Sequence, residues 1–241
     1  VNEPLVQSMT SQLIVRMRNR ILAGTYAPGS ALRQDILAAE FGTSKIPVRE
    51  ALVQLQSEGL VDIFPNRGFQ VRPLAAAELD EVFNLRLQIE PAAVALGAKL
   101  ATTSDHVAAR KALGHLNDAL AAERFSSSGQ LNRTFHLLLI VPSLQPVAAE
   151  ILGRLHTLAQ RYVQAHLRPE GRVKRATREH AALLRAWSMG KSKEARALIH
   201  AHIEATREDL ARVAARQPYA HSAKSSSAVV SSANKGFSGT I

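Results

Sequence analysis

Three histidines in this 241-residue chain sit where apolar neighbours recur at helical spacing. His136 has Asn132 one turn before it and Leu139 and Ile140 after it. His180 shares a face with Leu183, Leu184 and Trp187. His202 follows Leu198 and Ile199 and precedes Ala205. Three neutral imidazoles and one amide oxygen converging inside a bundle can hold a divalent metal, and Zn, Ni, Mn, Co and Fe all accept imidazole. A histidine on an apolar face is more often a satisfied core residue, so spacing alone favours packing over a metal. His200 lies two residues from His202 and points elsewhere on the helix. His106, His115, His156, His166 and His221 have no comparable setting.

A second group carries charge rather than lone pairs. Lys45 and Arg49 are four apart, so they share one side of a helix that Ser44 can cap. In a DNA major groove that side would meet phosphates and guanine edges. The competing partner for Arg49 is a carboxylate of its own domain, Glu50 or Glu58. Arg33 opens the preceding helix, whose N-terminus also favours phosphate. Arg67 can enter a minor groove, with Gly68 letting backbone approach closely.

The elements that must position these groups follow from periodicity. Met9 to Ala23 carries Leu13, Ile14, Met17, Ile21 and Leu22 as a helical stripe that Gly24 ends. Arg33 to Phe41 reads as a short helix with Ile36, Leu37 and Phe41 inward. Gly42-Thr43 is a tight turn. The third helix passes through Ile46, Val48, Ala51, Leu52 and Leu55 to Glu58, with Pro47 tolerated in its first turn. Leu60 to Phe64 and Phe69 to Val71 are short extended runs joined by Pro65-Asn66-Arg67-Gly68 as a hairpin. Helix, turn, helix and a basic-tipped hairpin make a winged helix-turn-helix pattern. From Glu78 the chain reads as helix after helix. A kink or a join of two helices is expected near Glu90, because Pro91 lies inside the first stripe. Ser104 is the expected cap of the next helix, Ser126 to Gly129 a loop, and Arg168 to Arg172 a basic loop. The class is mainly α. It comprises a winged helix-turn-helix domain over 9–73, an antiparallel all-α bundle over 78–216, and a Ser-, Ala- and Gly-rich tail over 217–241 read as disordered.

Composition narrows the function classes. Lys plus Arg number 30 against 20 Asp plus Glu, a formal charge of +10, which favours anionic partners. The excess is +2 over residues 1–75, +6 over 76–216 and +2 in the tail, so position rather than bulk charge must mark the DNA-reading part. Absence of cysteine excludes disulfide scaffolds, zinc fingers and thiol nucleophiles. No apolar run approaches the roughly 20 residues of a membrane span, so no membrane partner is expected. The chain opens without the pattern of a secretion signal, and a cytoplasmic location is expected.

Residues 24–71 resemble the DNA-binding domain of the GntR family of bacterial transcription regulators. The matching parts are PG-x-x-L at 28–32, S-K-x-P-V-R-E-A-L at 44–52, L-x-x-E-G-L-V at 55–61 and N-R-G-F-x-V at 66–71. The resemblance implies DNA contacts at Arg33, Ser44, Lys45, Pro47 and Arg49, and at the wing residues Asn66, Arg67 and Gly68. Lys45 stands where the family usually has Arg, which keeps the charge and loses the bidentate fork. LRLQIEPAAVALGA at 85–98, N-x-x-x-H at 132–136, EHAALLRAW at 179–187 and ARALIHAHI at 195–203 resemble the ligand-binding domain of the FadR subfamily. That resemblance implies a divalent metal held by Asn132, His136, His180 and His202, facing a small organic acid. Asn132 stands where Asp is commoner, and a neutral oxygen holds a cation more weakly.

Arg86 is the candidate to assist an effector carboxylate; an i,i+4 salt bridge to Glu90 is its equal alternative. The basic run Arg168, Arg172, Lys174, Arg175 and Arg178 reads first as a solvated loop. The expected function is a homodimeric, ligand-responsive transcription regulator on a double-stranded operator. The rival is a metal-dependent hydrolytic enzyme on the three-histidine site. It is weakened because Glu179, the one carboxylate close in sequence, points about 100° away from His180.

Overall fold

The computed structural model describes residues 8–65, 67–165 and 172–216. Asn66, the basic residue Arg168 and the tail over 217–241 lie outside the described residues. The amino-terminal part holds α1 (Met9–Leu22), β1 (Ala31–Leu32), α2 (Gln34–Phe41), α3 (Lys45–Ser57), β2 (Val61–Phe64) and β3 (Gly68–Val71). Leu13, Met17 and Ile21 recur every four residues on α1 and are buried. They meet the buried stripe Val48, Ala51, Leu52 and Leu55 of α3. Gly42 ends α2 at φ 63°, a left-handed turn in which glycine carries no Cβ penalty. The hairpin β2–β3 pairs antiparallel with Phe64 opposite Gly68, and β1 adds itself to β3, giving the order β1-β3-β2. Arg18 reaches from α1 to Glu58 through Nε at 2.7 Å and Nη2 at 2.6 Å, fixing the end of α3.

One residue read as inward is not, and a second from the apolar run of α3 is also exposed. Ile36 is 56% exposed and Ile46 is 72% exposed. Apolar character alone suggested burial, but both stand on the side of α2 and α3 turned away from α1.

The helical part comprises α4 (Ala76–Leu100), α5 (Thr103–Ala121), α6 (Phe125–Ile140), α7 (Pro146–Ala165), α8 (Arg172–Ser188) and α9 (Ser192–Arg216), with a 3-10 turn over Val141–Ser143. Helix α4 packs on α9 and α7, α5 on α6 and α8, and α8 on α9. The expected join of two helices at Glu90 is absent, and α4 runs unbroken through Pro91. Proline removes one backbone bond there. Burial of Leu79, Val82, Phe83, Ala93 and Val94 on either side outweighs that loss. Thr102, not Ser104, caps α5: its Oγ1 accepts from Asp105 N–H at 3.3 Å while Asp105 accepts from Thr102 N–H at 2.8 Å. The segment 126–129, read as a loop, belongs to α6, which runs on from Phe125. Among the described residues no helix is long and apolar enough to cross a membrane.

Candidate functional site

On the amino-terminal part, Ser44 occupies the position before α3 in extended conformation and makes no side-chain cap bond. The expected cap is therefore not formed, and the hydroxyl stays at the exposed surface. Lys45 and Arg49 follow on the exposed side, with Pro47 half-buried between them. The carboxylates that competed for Arg49 are engaged elsewhere: Glu50 accepts from Thr10 Oγ1 at 2.8 Å, and Glu58 is held by Arg18. Arg33 stands just before α2, exposed and extended, and Arg67 and Gly68 form the exposed tip of the hairpin. Gly68 has φ 80°, and a Cβ there would have no atom within 4 Å, so the site asks for glycine only through its backbone. The exposed Ile46 sits between Lys45 and Pro47, an apolar contact suited to a thymine methyl.

In the helical part the imidazoles do converge. Ligand atoms of His136, His180 and His202, from α6, α8 and α9, lie within 4.8 Å of one another. His180 Nε2 and His202 Nε2 are 3.3 Å apart. Two nitrogens each ~2.1 Å from one tetrahedral ion would stand ~3.4 Å apart, so the observed gap fits a shared ion. His202 Nδ1–H donates to Glu179 Oε2 at 2.7 Å, and His136 Nδ1–H donates to Glu90 Oε1 at 3.1 Å. Each bond fixes the tautomer that leaves Nε2 with a lone pair. His136 Nε2 and His180 Nδ1 are buried and have no hydrogen-bond partner among the described residues. Buried polar atoms left without partners are uncommon, and a cation shared with His180 Nε2 and His202 Nε2 would satisfy His136 Nε2.

His136 and His180 are held neutral, as ligation requires. Burial pushes His136 down to about 3, outweighing its bond to Glu90. Burial, then the neighbouring His202 and His136, holds His180 well below the usual imidazole range. Asn132 lies one turn ahead of His136 and opens onto the same cavity as His180 and His202.

Two supports were not visible in the sequence. Glu90 is fully buried and accepts from Arg86 Nε at 2.9 Å, His136 Nδ1 at 3.1 Å and His156 Nε2 at 3.1 Å. Burial would raise its carboxyl, but the Arg86 charge and the two imidazoles together hold it well below the usual range. His156, which had no special setting in the sequence, is buried in this network. Glu179 turns away from its chain neighbour His180, as its position on α8 requires, and reaches His202 on α9 instead. Arg86 both forms the i,i+4 pair with Glu90 and lines the cavity. The basic run is not a solvated loop throughout: Arg172 is buried, and Arg175 lines the cavity and pairs with Asp209.

The cavity is about 90 Å³, room for several waters or a compact organic molecule. One of its walls is α7. His156, Ala159, Gln160 and Val163 face the cavity from one side of that helix. Arg154, Leu158, Arg161 and Tyr162 lie on the other side. There Arg154 Nη2 reaches Ser57 O at 3.4 Å at the end of α3, and Leu158 lies where a Cβ on Gly59 would be 3.2 Å away. Arg161 Nη2 donates to Arg72 O and to Pro73 O, the latter at 2.8 Å, and Tyr162 binds Glu78 and Ala75 O. The same rod therefore borders the cavity and grips the connection to the winged part.

A winged helix-turn-helix joined to a helical bundle with a cavity lined by both polar and apolar side chains defines a DNA-binding transcription regulator with a ligand-binding domain. Residues 9–71 match the family described as bacterial regulatory proteins, gntR family, and residues 81–205 match the FCD domain. The chain belongs to the GntR family of transcription regulators, in the branch that carries an FCD domain, and the families and relatives matched are regulators rather than enzymes. It is 30% identical over 148 residues to the HTH-type transcriptional regulator McbR of Escherichia coli K12, covering 61% of this chain and 67% of McbR. Similarity to the uncharacterized HTH-type regulator YdhC of Bacillus subtilis 168 extends over 203 residues at 26% identity, 84% of this chain and 91% of YdhC. The solved structure of E. coli McbR/YncC superposes with a TM-score of 0.75 at 24% identity, covering 86% of this chain and 98% of that one. A putative GntR regulator from Rhodococcus sp. RHA1 gives 0.74 at 23%, covering 83% and 96%. These two likenesses concern the fold.

Proposed function

We propose that the chain is an acid-responsive switch on an operator, working as a cytoplasmic homodimer. Residues 9–73 read DNA and residues 78–216 hold the effector. The observation that carries this reading is the two-sided helix α7, which is cavity wall on one face and anchor of the linker on the other. Lys45 and Arg49 would meet phosphates and base edges in the major groove, Arg33, Ser44 and Pro47 would position the reading helix, and Asn66, Arg67 and Gly68 would approach the minor groove. A dimer is supported by the exposed Val141, Leu144 and Val147, which run from the 3-10 turn into α7, and by the match between a two-fold protein and a palindromic site.

His136, His180, His202 and Asn132 would hold a divalent ion. Bound there, the ion would supply a Lewis-acid grip on an effector carboxylate. Glu90 and Glu179 orient two of the imidazoles, and Arg86 neutralises Glu90 while facing the guest. An acid that binds one placement of α7 better than the other shifts the winged parts by that difference in affinity.

The test is fluorescence anisotropy on an operator selected from random duplexes, with the protein as purified and after chelation and reloading. Small carboxylic acids should change operator Kd at least fivefold in the metal-loaded protein. Unchanged binding across those acids and metals would remove the switch.

A further inference from the structure

Arg133 borders two spaces. One is the cavity of the imidazoles, which it lines together with Asn132, the residue before it on α6. The other is a cleft of about 430 Å³ between the winged part and the bundle. Arg18 and Glu58 face that cleft from the winged part, and Arg133, Gly153, Arg154 and Thr157 face it from α6 and α7. Arg133 Nε donates to Gly153 O at 3.2 Å, which pivots the guanidinium on the backbone of α7. A Cβ on Gly153 would lie 3.2 Å from Nη2, so the side chain rests against a glycine.

Electrostatics run the same two ways. Burial pulls Arg133 below the ordinary guanidinium range, the Arg18 charge adds to that, and Glu58 opposes it. On the cavity side, burial and then the charges of Arg86 and Arg133 hold His156 below the usual imidazole range. Glu58 is gripped by Arg18, so Arg133 stands beside an ion pair of the winged part without being a member of it. That pair fixes the end of α3, the helix that carries Lys45 and Arg49. A guanidinium keeps its proton in both settings, so a single charge is shared between two spaces. An anion entering the cavity draws it one way, and Glu58 draws it the other.

We infer that Arg133 is a positioning residue, which seats the winged part on the bundle from the cleft and loosens that hold when an anion enters the cavity. The loosening rests on the acid-switch reading; the seating does not. Arg161 holds the linker and Arg133 bears on the corner of α1 and α3. A body held at both places keeps one placement, and a body held at either alone can swing.

The chain has no cysteine, so spin labels can be placed through Ile63→Cys in the winged part and Val107→Cys on α5, both exposed positions. Double electron–electron resonance on the labelled full chain, diluted in excess unlabelled chain, reads the distance between the two parts within one molecule. Arg133→Met should at least double the width of that distance distribution while near-ultraviolet circular dichroism stays that of the wild type. Gly153→Ala crowds Nη2 while favouring α7 as a helix, and should broaden the distribution in the same sense, so it decides the matter should the first variant not fold. Wild-type widths in the folded variants would overturn the seating role. Acetate, butyrate and benzoate, added to the zinc-loaded chain at constant ionic strength, should broaden the wild-type distribution and leave that of Arg133→Met as it was. An equal acid response in Arg133→Met would overturn the competition for its charge while the acid switch stands. No response in the wild type would defeat the acid switch and the loosening with it, and the acid-free widths would still decide the seating.

Discussion

His180 and His202 meet nitrogen to nitrogen, their Nε2 atoms 3.3 Å apart across α8 and α9. Two imidazoles so placed can share a single proton between them, whereas one cation would engage both lone pairs. His180→Ala should therefore reduce bound metal from one ion per chain to below detection, measured by elemental analysis after dialysis against zinc or nickel. Full occupancy in that variant would show that these imidazoles are core packing.

Acid should unfold the chelated protein early. His136 is held near 3 in the fold and takes up its proton near 6.5 when unfolded, so between those values the unfolded chain binds more protons. Stability from this group is complete above about 6.5 and declines as pH falls towards 3; His180 and His156 act in the same direction. Urea midpoints measured from pH 8 to 5 should drop below pH 7, and His136→Gln should flatten that slope.

Arg49→Ala should weaken operator binding by about 10- to 100-fold, the loss of a base-edge contact. Its melting temperature should stay within about one degree, because Arg49 has no hydrogen-bond or ion-pair partner among the described residues. Lys45→Ala should instead reduce the salt dependence of binding by about one ion while relaxing sequence preference little. Anisotropy titrations over a range of salt separate the two.

Gly97→Ala should be severely destabilising. The new Cβ would lie 2.2 Å from Leu139 O, the acceptor of the Trp187 Nε1–H bond at 3.0 Å. Overpacking of this kind costs about 3 kcal/mol. Gly114→Ala is the control: its Cβ meets nothing within 4 Å, and a helical Gly-to-Ala change should stabilise by about 0.5–1 kcal/mol. Thermal unfolding of both variants checks the pair.

Arg161→Met should uncouple the two halves. It removes the grip on Arg72 O and Pro73 O while leaving the cavity face of α7 untouched. Effector should still bind by calorimetry, but its effect on operator Kd should fall below twofold. A retained response would place the coupling elsewhere.

Local pattern made much of this legible. The stripes of α1 and α3 are each set by one helix, so residues such as Leu13 and Val48 could be placed without a partner. The same holds for His136, His180 and His202, each marked by apolar neighbours on its own helix. What crossed between elements was hidden. β1 exists only through its pairing with Gln70 and Phe69. Glu90 and Glu179 support imidazoles on other helices, and the i,i+4 spacing of Arg86 and Glu90 was the one local sign. His156 has Leu152 four before it and Ala159 three after, a sparser apolar setting than those of the other three. Ile36 and Ile46 misled in the opposite direction, because an apolar side chain on an exposed helix face looks in sequence like one kept for the core.

The division of α7 into two opposed faces bears on how such regulators diversify. Residues 159, 160 and 163 can change to suit a new guest while His156 stays tied to Glu90 and 154, 158, 161 and 162 continue to hold the linker. Sensing and signalling can then drift apart in sequence within a single helix, and a new chemical cue can be connected to an old set of promoters without rebuilding either half.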